Sequence, residues 1–126
     1  MSGKPRYLLD TNAVISLLAG NHQLAEKLDA ADYVGISVIT FLEFLAFEGL
    51  SEEDHACFVE FCSRVEVVAL DPEDTGLMKL ALDLRSLHRL KLPDAVIGAT
   101  ALARNAHLVT NDSHFSGISL LSVVEC

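Results

Sequence analysis

The chain has 126 residues, 51% of them hydrophobic, and its 18 acids against 9 Lys and Arg give a formal net charge of −9. A length of this order is typically organised around one hydrophobic core, so a single domain over 1–126 is expected. The acidic balance excludes a protein that grips nucleic acid over a broad basic surface, unless its carboxylates are gathered in one cleft and neutralised there by divalent cations.

The first predicted strand is Arg6 to Leu9, short and apolar, running into Asp10-Thr11-Asn12. A helix is expected from there to about Leu18, closed by Gly20-Asn21. A second runs from His22 to Ala31, with Leu24, Ala25 and Leu28 at helical spacing. Tyr33 to Ile36 reads as the second strand. Ser37 then caps a helix through Phe47 whose residues are apolar almost all round, a pattern that predicts a buried helix. Gly49 closes it, and Ser51-Glu52-Glu53-Asp54 starts the next helix, which carries Phe58 and Phe61. Val65 to Ala69 is the third expected strand. Asp71-Pro72-Glu73-Asp74 reads as a helix start, with Asp71 as the cap and Pro72 in the first helical position, and this helix should reach about Arg89. Leu92-Pro93-Asp94 opens another helix through Ala103. His107 to Val109 is the fourth strand, and Ile118 to Val123 the fifth.

Strands alternating with helices predict an α/β domain with a mostly parallel sheet of four or five strands. Right-handed crossovers put the strand ends that carry Asp10 and Asp112 on one side of the sheet, where such folds collect ligands, so both should face one crevice. The longest uncharged stretch, Tyr33 to Phe47, is interrupted by Glu43 and falls short of the roughly 20 residues of a membrane span. The apolar run near the N-terminus is too short for a signal peptide, so no membrane association and a cytoplasmic location are expected. Cys57, Cys62 and Cys126 are odd in number and lack the spacing of a disulfide framework or zinc knuckle; they read as small apolar fillers.

Four acids stand in apolar company. Asp10 lies between Tyr7-Leu8-Leu9 and Ala13-Val14-Ile15, Glu43 is the only charge between Asp32 and Glu48, Asp94 is the only charge from Leu92 to Ala103, and Asp112 follows Leu108-Val109-Thr110-Asn111. Asp10 has an alternative reading as a helix cap, Asp94 as a favourable charge at a helix N-terminus, and Asp112 as a turn residue. Glu43 has none of these, because it falls mid-helix on a face shared with Ile39, Thr40 and Phe47, with no basic residue three or four positions away. A buried carboxylate is costly unless paired or metal-bound. Convergent carboxylates without His or Cys favour magnesium or manganese over zinc.

At these residues the chain resembles PIN-domain ribonucleases, and among them the VapC-type toxins of toxin–antitoxin systems. The resemblance rests on Leu9-Asp10-Thr11-Asn12, on the helical Thr40-Phe41-Leu42-Glu43-Phe44, on Leu92-Pro93-Asp94-Ala95-Val96-Ile97-Gly98-Ala99-Thr100-Ala101, and on Leu108-Val109-Thr110-Asn111-Asp112 followed by Phe115, in that order. It implies a three-layer α/β/α fold and Mg²⁺- or Mn²⁺-dependent hydrolysis of RNA to 5′-phosphate and 3′-hydroxyl ends. It carries metal ligation and catalysis onto Asp10, Glu43, Asp94 and Asp112, and a supporting hydrogen-bond role onto Asn12 and Thr110. It further implies a VapB-like antitoxin as partner and a homodimer. Asn111 stands where the family commonly has a basic residue.

Other readings stay open at this point. An Asp after the first strand also serves aspartyl-phosphate phosphatases, but their second Asp is replaced here by Asn12. A PIN-like module that binds RNA or protein without cutting, and a housekeeping RNA-processing nuclease, are the remaining alternatives. Lys79, Arg85, Arg89, Lys91 and Arg104 read either as a solvated helix face or as an RNA-contacting rim. His88 and His114 read as surface residues. Phe41, Phe44, Phe47, Phe58 and Phe61 read mainly as core, with some left to line a partner groove.

Overall fold

The computed structural model describes residues 3–126. Its sheet has five strands in the order β3-β2-β1-β4-β5, with β1 Arg6–Leu9, β2 Tyr33–Ser37, β3 Glu66–Val68, β4 His107–Val109 and β5 Val123–Val124. Every neighbouring pair is parallel: Leu8 stands against Gly35 of β2 on one side and Leu108 of β4 on the other. A parallel sheet needs cover on both faces. Leu8 and Leu108 point into one apolar cluster with α5 (Thr75–His88) and α6 (Leu92–Ala103). Tyr7, Leu9 and Val109 point into the other, with α1 (Thr11–Leu18), α2 (His22–Asp29), α3 (Val38–Leu45) and α4 (Glu52–Arg64). The result is the expected three-layer α/β/α arrangement, and the sheet is parallel throughout.

Three expectations about the elements are corrected. The helix expected from Asp71 starts at Thr75. Asp74 is its cap, accepting from the Leu77 N–H at 3.1 Å, while Asp71 closes a tight turn through the Glu73 N–H at 2.9 Å. Two cap-like acids overlap in Asp71-Pro72-Glu73-Asp74, and the later start sets Leu77, Ala81 and Leu84 on the buried face. The last strand is only Val123–Val124, because Ile118 and Leu121 turn inward to seal the α5–α6 cluster instead of extending. Finally, α3 ends at Leu45 and is not a buried helix: Thr40 and Phe44 are buried, while Leu42 and the following Phe47 are exposed.

Of the aromatic residues on this side, Phe44 stacks on Phe58 with centroids 4.0 Å apart, Phe41 and Phe61 are half-buried, and Phe47 faces solvent. Cys62 and Cys126 pack partly buried against the same cluster, whereas Cys57 is exposed, so only two of the three cysteines act as fillers. Among the described residues, no helix is long and apolar enough to cross a membrane.

Candidate active site

The strand order places β2 and β3 to one side of β1 and β4 and β5 to the other, so a crevice opens beyond the carboxyl ends of β1 and β4. Asp10 follows β1 and Asp112 follows β4 by three residues. Glu43 on α3 and Asp94 in the first turn of α6 reach the same place. All four acids line one cleft of 440 Å³, with Thr11, Asn12, Ala46, Phe47 and Ile97 completing its wall.

Asp10 is buried and held twice. Its Oδ1 accepts from the Ala13 N–H at 2.8 Å, capping α1, and its Oδ2 accepts from the Thr110 hydroxyl. Thr110 Oγ1 in turn accepts from the Asp112 N–H at 2.9 Å, so one buried hydroxyl ties the two strand-end acids together. Asp112 caps a short 3₁₀ turn, Ser113–Phe115, through the His114 N–H. The structural readings of Asp10 and Asp112 as caps are therefore real, yet both side chains still face the cleft.

Glu43 departs from its expected burial. It is exposed, and its Oε1 accepts from the Thr11 hydroxyl at 2.6 Å. With α3 open to solvent on that face, the carboxylate is hydrated and carries no burial cost. Asn12 is also exposed along the cleft, and its side chain makes no hydrogen bond among the described residues. The hydrogen bond on that side comes from Thr11.

Charge accumulates here. Burial pushes the Asp10 carboxyl above the ordinary carboxylate range, against the pull of the Thr110 and Ala13 hydrogen bonds, and the charges of Asp112 and Asp94 push it further. Burial also raises Asp94, helped by Asp112 and Glu43 and opposed by His114 and Lys91. Burial is the first cause at both groups, and the neighbouring carboxylates add to it. His114 is exposed, as its place in the sequence suggests, but its Nδ1 lies 2.9 Å from Asp112 Oδ1. Asp94, Asp112 and His114 offer ligand atoms all within 4.8 Å of one another. Of these, the two carboxylates are the oxygen donors that Mg²⁺ takes, and with Asp10 and Glu43 lining the same cleft the oxygen-rich set fits a divalent cation.

The profile of the PIN domain matches residues 7–120 of this sequence. The chain belongs to the PIN domain family. No curated protein matches it by sequence. Among solved structures, this PIN domain is similar to a chain of a toxin–antitoxin complex from Klebsiella pneumoniae, at 28% identity and a TM-score of 0.76 over 94% of this chain and 95% of that one. It is also similar to a chain of VapBC-1 from nontypeable Haemophilus influenzae, at 28% identity and a TM-score of 0.69 over 94% and 96%. A chain of DNA-bound VapBC from Salmonella typhimurium shares the fold, at 23% identity and a TM-score of 0.78 over 96% and 98%.

Two residues of this PIN domain, Thr11 on the cleft wall and His114 beside it, have roles that sequence reasoning misses. Thr11 holds Glu43 across 32 positions, and His114 meets Asp112 only because the 3₁₀ turn folds back on its own cap. Thr11 sits beside Asp10 in the quoted motif, but its target could be found only through the packing of α1 on α3.

Proposed function

We propose that this cleft is the active site of a metal-dependent endoribonuclease, and that the protein is the VapC-type toxin of a toxin–antitoxin pair. The observation that carries the proposal is the convergence, in one cleft, of carboxylates from four separate elements: the ends of β1 and β4, the middle of α3 and the first turn of α6. A binding module has little use for such mutual repulsion. Asp10, Glu43, Asp94 and Asp112 would hold Mg²⁺ or Mn²⁺. Bound there, the cation supplies a Lewis acid for the scissile phosphodiester and lowers the pKa of a water.

The chain's own residues do the rest. Thr110 fixes the rotamer of Asp10 and orders the Asp112 backbone, so the strand-end acids are preorganised before substrate arrives. Glu43 has Oε1 committed to Thr11, which leaves Oε2 to orient the attacking water and accept its proton. The water oxygen bonds to phosphorus, the bond to the 3′-oxygen breaks, and that oxygen takes a proton from solvent, giving 5′-phosphate and 3′-hydroxyl ends. Asp10, with both oxygens engaged, is poorly placed as a covalent nucleophile.

The partners proposed are an RNA substrate, a VapB-like antitoxin and a second copy of the chain, all in the cytoplasm. The antitoxin is supported by the two 28%-identical structures, which come from a toxin–antitoxin complex and from VapBC-1.

The test is cleavage of a mixed RNA pool with Mg²⁺, Mn²⁺ or EDTA, with Asp10→Asn and Asp94→Asn alongside. Cutting that requires the cation and falls by at least about a thousandfold in either variant is expected, a loss of about 4 kcal/mol in transition-state stabilisation. Full activity in Asp10→Asn, or none in folded, antitoxin-free wild type, would overturn the proposal.

A further inference from the structure

A polyanionic substrate has to approach a chain of net charge −9 at a cleft walled by acids. Most of the cations are committed elsewhere. Lys79 pairs with Asp83, Arg64 with Glu60 and Arg104 with Glu66; Arg6 stacks over Tyr33, and Arg85 donates to the Leu90 carbonyl. Arg89 and Lys91 make no ion pair among the described residues. Of the five cations that read as a rim, these two are the ones left at the site.

Their position is specific. A second cavity, of 290 Å³, is lined by His88, Arg89 and Lys91 together with Asp94, Asp112 and His114. Asp94 and Asp112 line the acidic cleft as well, so the two hollows share one wall. Lys91 lies near enough for its charge to act on the Asp94 carboxyl.

The loop that carries the cations is anchored. Arg89 adopts a left-handed backbone, φ 56° and ψ 31°, which lets Leu90 bury its side chain in the α5–α6 cluster. Arg85 Nη1 reaches the Leu90 carbonyl from the preceding turn at 3.4 Å. Arg89 and Lys91 flank this buried plug and stay in solvent on the cavity side. A non-glycine residue in that conformation is strained and persists where its surroundings hold it.

We propose that the α5–α6 loop, through Arg89 and Lys91, is a phosphate subsite that binds the RNA backbone next to the scissile phosphate across the Asp94–Asp112 wall. The inference rests on the nuclease reading and deepens it: the substrate's backbone runs from the acidic cleft over this wall onto the loop. The subsite acts by binding and takes no part in bond cleavage.

The test compares Arg89→Asn/Lys91→Gln with a charge-matched control, Lys27→Gln/Arg64→Gln, whose residues line neither cavity. Asn is chosen at position 89 because it tolerates a left-handed backbone. Binding of a labelled single-stranded RNA is read by fluorescence anisotropy over a salt series with Mg²⁺, every protein also carrying Asp10→Asn so that the RNA stays intact. Circular dichroism confirms that each is folded. The loop double variant should bind on the order of tenfold more weakly, and the slope of log K against log salt should shrink by about 0.7 for each phosphate that the loop no longer neutralises. Without Asp10→Asn, the same loop substitutions should raise KM and leave kcat nearly unchanged.

Equal weakening in loop and control variants would reduce the effect to bulk charge and overturn the subsite. So would an unchanged KM in the loop variant of an RNA-cutting enzyme, with the nuclease reading left intact. A wild type that binds RNA through this loop and never cuts it would instead remove the nuclease and keep the subsite.

Discussion

Helices α3 and α6 look alike as sequence, since each is a run of apolar residues around one acid, yet the fold treats them oppositely. In α6 the seven residues from Ala95 to Ala101 are buried, and in α3 only Thr40 and Phe44 are. The difference lies in side-chain size and in neighbours. Ala95, Gly98, Ala99 and Ala101 let α6 approach both the sheet and α5, so every face finds cover. Helix α3 packs only the face that carries Thr40, Phe41 and Phe44, and its far face leaves Leu42 and Glu43 exposed. The consequence reaches the site. Asp94 is set at the start of a fully packed helix, whereas Glu43 projects from a half-covered one and relies on Thr11 for its orientation.

The largest effects should come from breaking each helix where it is packed. Phe44→Ala removes the ring stacked on Phe58, and a loss of about 3–5 kcal/mol is expected in denaturant titration. At Gly98 a Cβ would already stand 3.1 Å from Leu84 and 3.5 Å from Leu121, so the branched side chain of Gly98→Val should cost about 1–3 kcal/mol. On the open face of α3, Leu42→Gln should change stability by no more than about 0.5 kcal/mol. A large loss at Leu42 would mean that the face is covered in solution, and the contrast between the helices would collapse.

A smaller pair of substitutions sharpens the comparison at the carboxylates. Thr110→Val keeps the shape but strips a buried bridge, leaving Asp10 Oδ2 and the Asp112 N–H without their partner, at a cost of about 1–3 kcal/mol. It should lower RNA cleavage as well as the melting temperature. Thr11→Val frees the exposed Glu43 and also takes the 3.5 Å partner from the buried Thr40 hydroxyl, so it should lower kcat with a smaller melting loss than Thr110→Val, which strips two bonds. Similar melting losses in both would show that Glu43 is held as firmly as Asp10.

This contrast also marks what the sequence makes legible. The strand–helix alternation, the α6 start at Leu92-Pro93-Asp94 and the shared crevice for Asp10 and Asp112 follow from local pattern and chain direction alone. The burial of α3 does not, because an apolar run records what a segment tolerates and says nothing about which element arrives to cover it. Glu43 stands out in the sequence on the premise of burial; it reaches the cleft through exposure. The same limit applies to Asp71 against Asp74, where two local signals compete and the periodicity of Leu77, Ala81 and Leu84 decides. Thr11, His114 and the freedom of Arg89 and Lys91 depend on hydrogen bonds or ion pairs made across the fold, which spacing does not encode.

The smallest effects are those of pH, and they have opposite signs in two parts of the molecule. Asp10 and Asp94 have pKa values raised from 3.8, burial being the first cause, so over the window just above 3.8 the folded state holds protons that the unfolded chain has released. Their contribution to stability therefore falls as pH rises through that window. Glu66 is lowered from 4.5, first by its hydrogen bond from Arg104 and then by that from Tyr33. Its contribution is in place above 4.5 and is lost as pH falls through the lowered value. The Arg104–Glu66 pair is partly exposed, so Glu66→Gln should change stability by no more than about 1 kcal/mol, and only while Glu66 is ionised. The acids of the cleft can be separated from it with a cation. Mg²⁺ competes with protons for the same carboxylates, so the rise in melting temperature on adding Mg²⁺ should be larger at pH 7 than at pH 5. Glu66→Gln should leave that difference unchanged and Asp94→Asn should abolish most of it. An Mg²⁺ effect that is the same at both pH values, or that survives Asp94→Asn, would place the cation somewhere other than the shared wall of the two cavities.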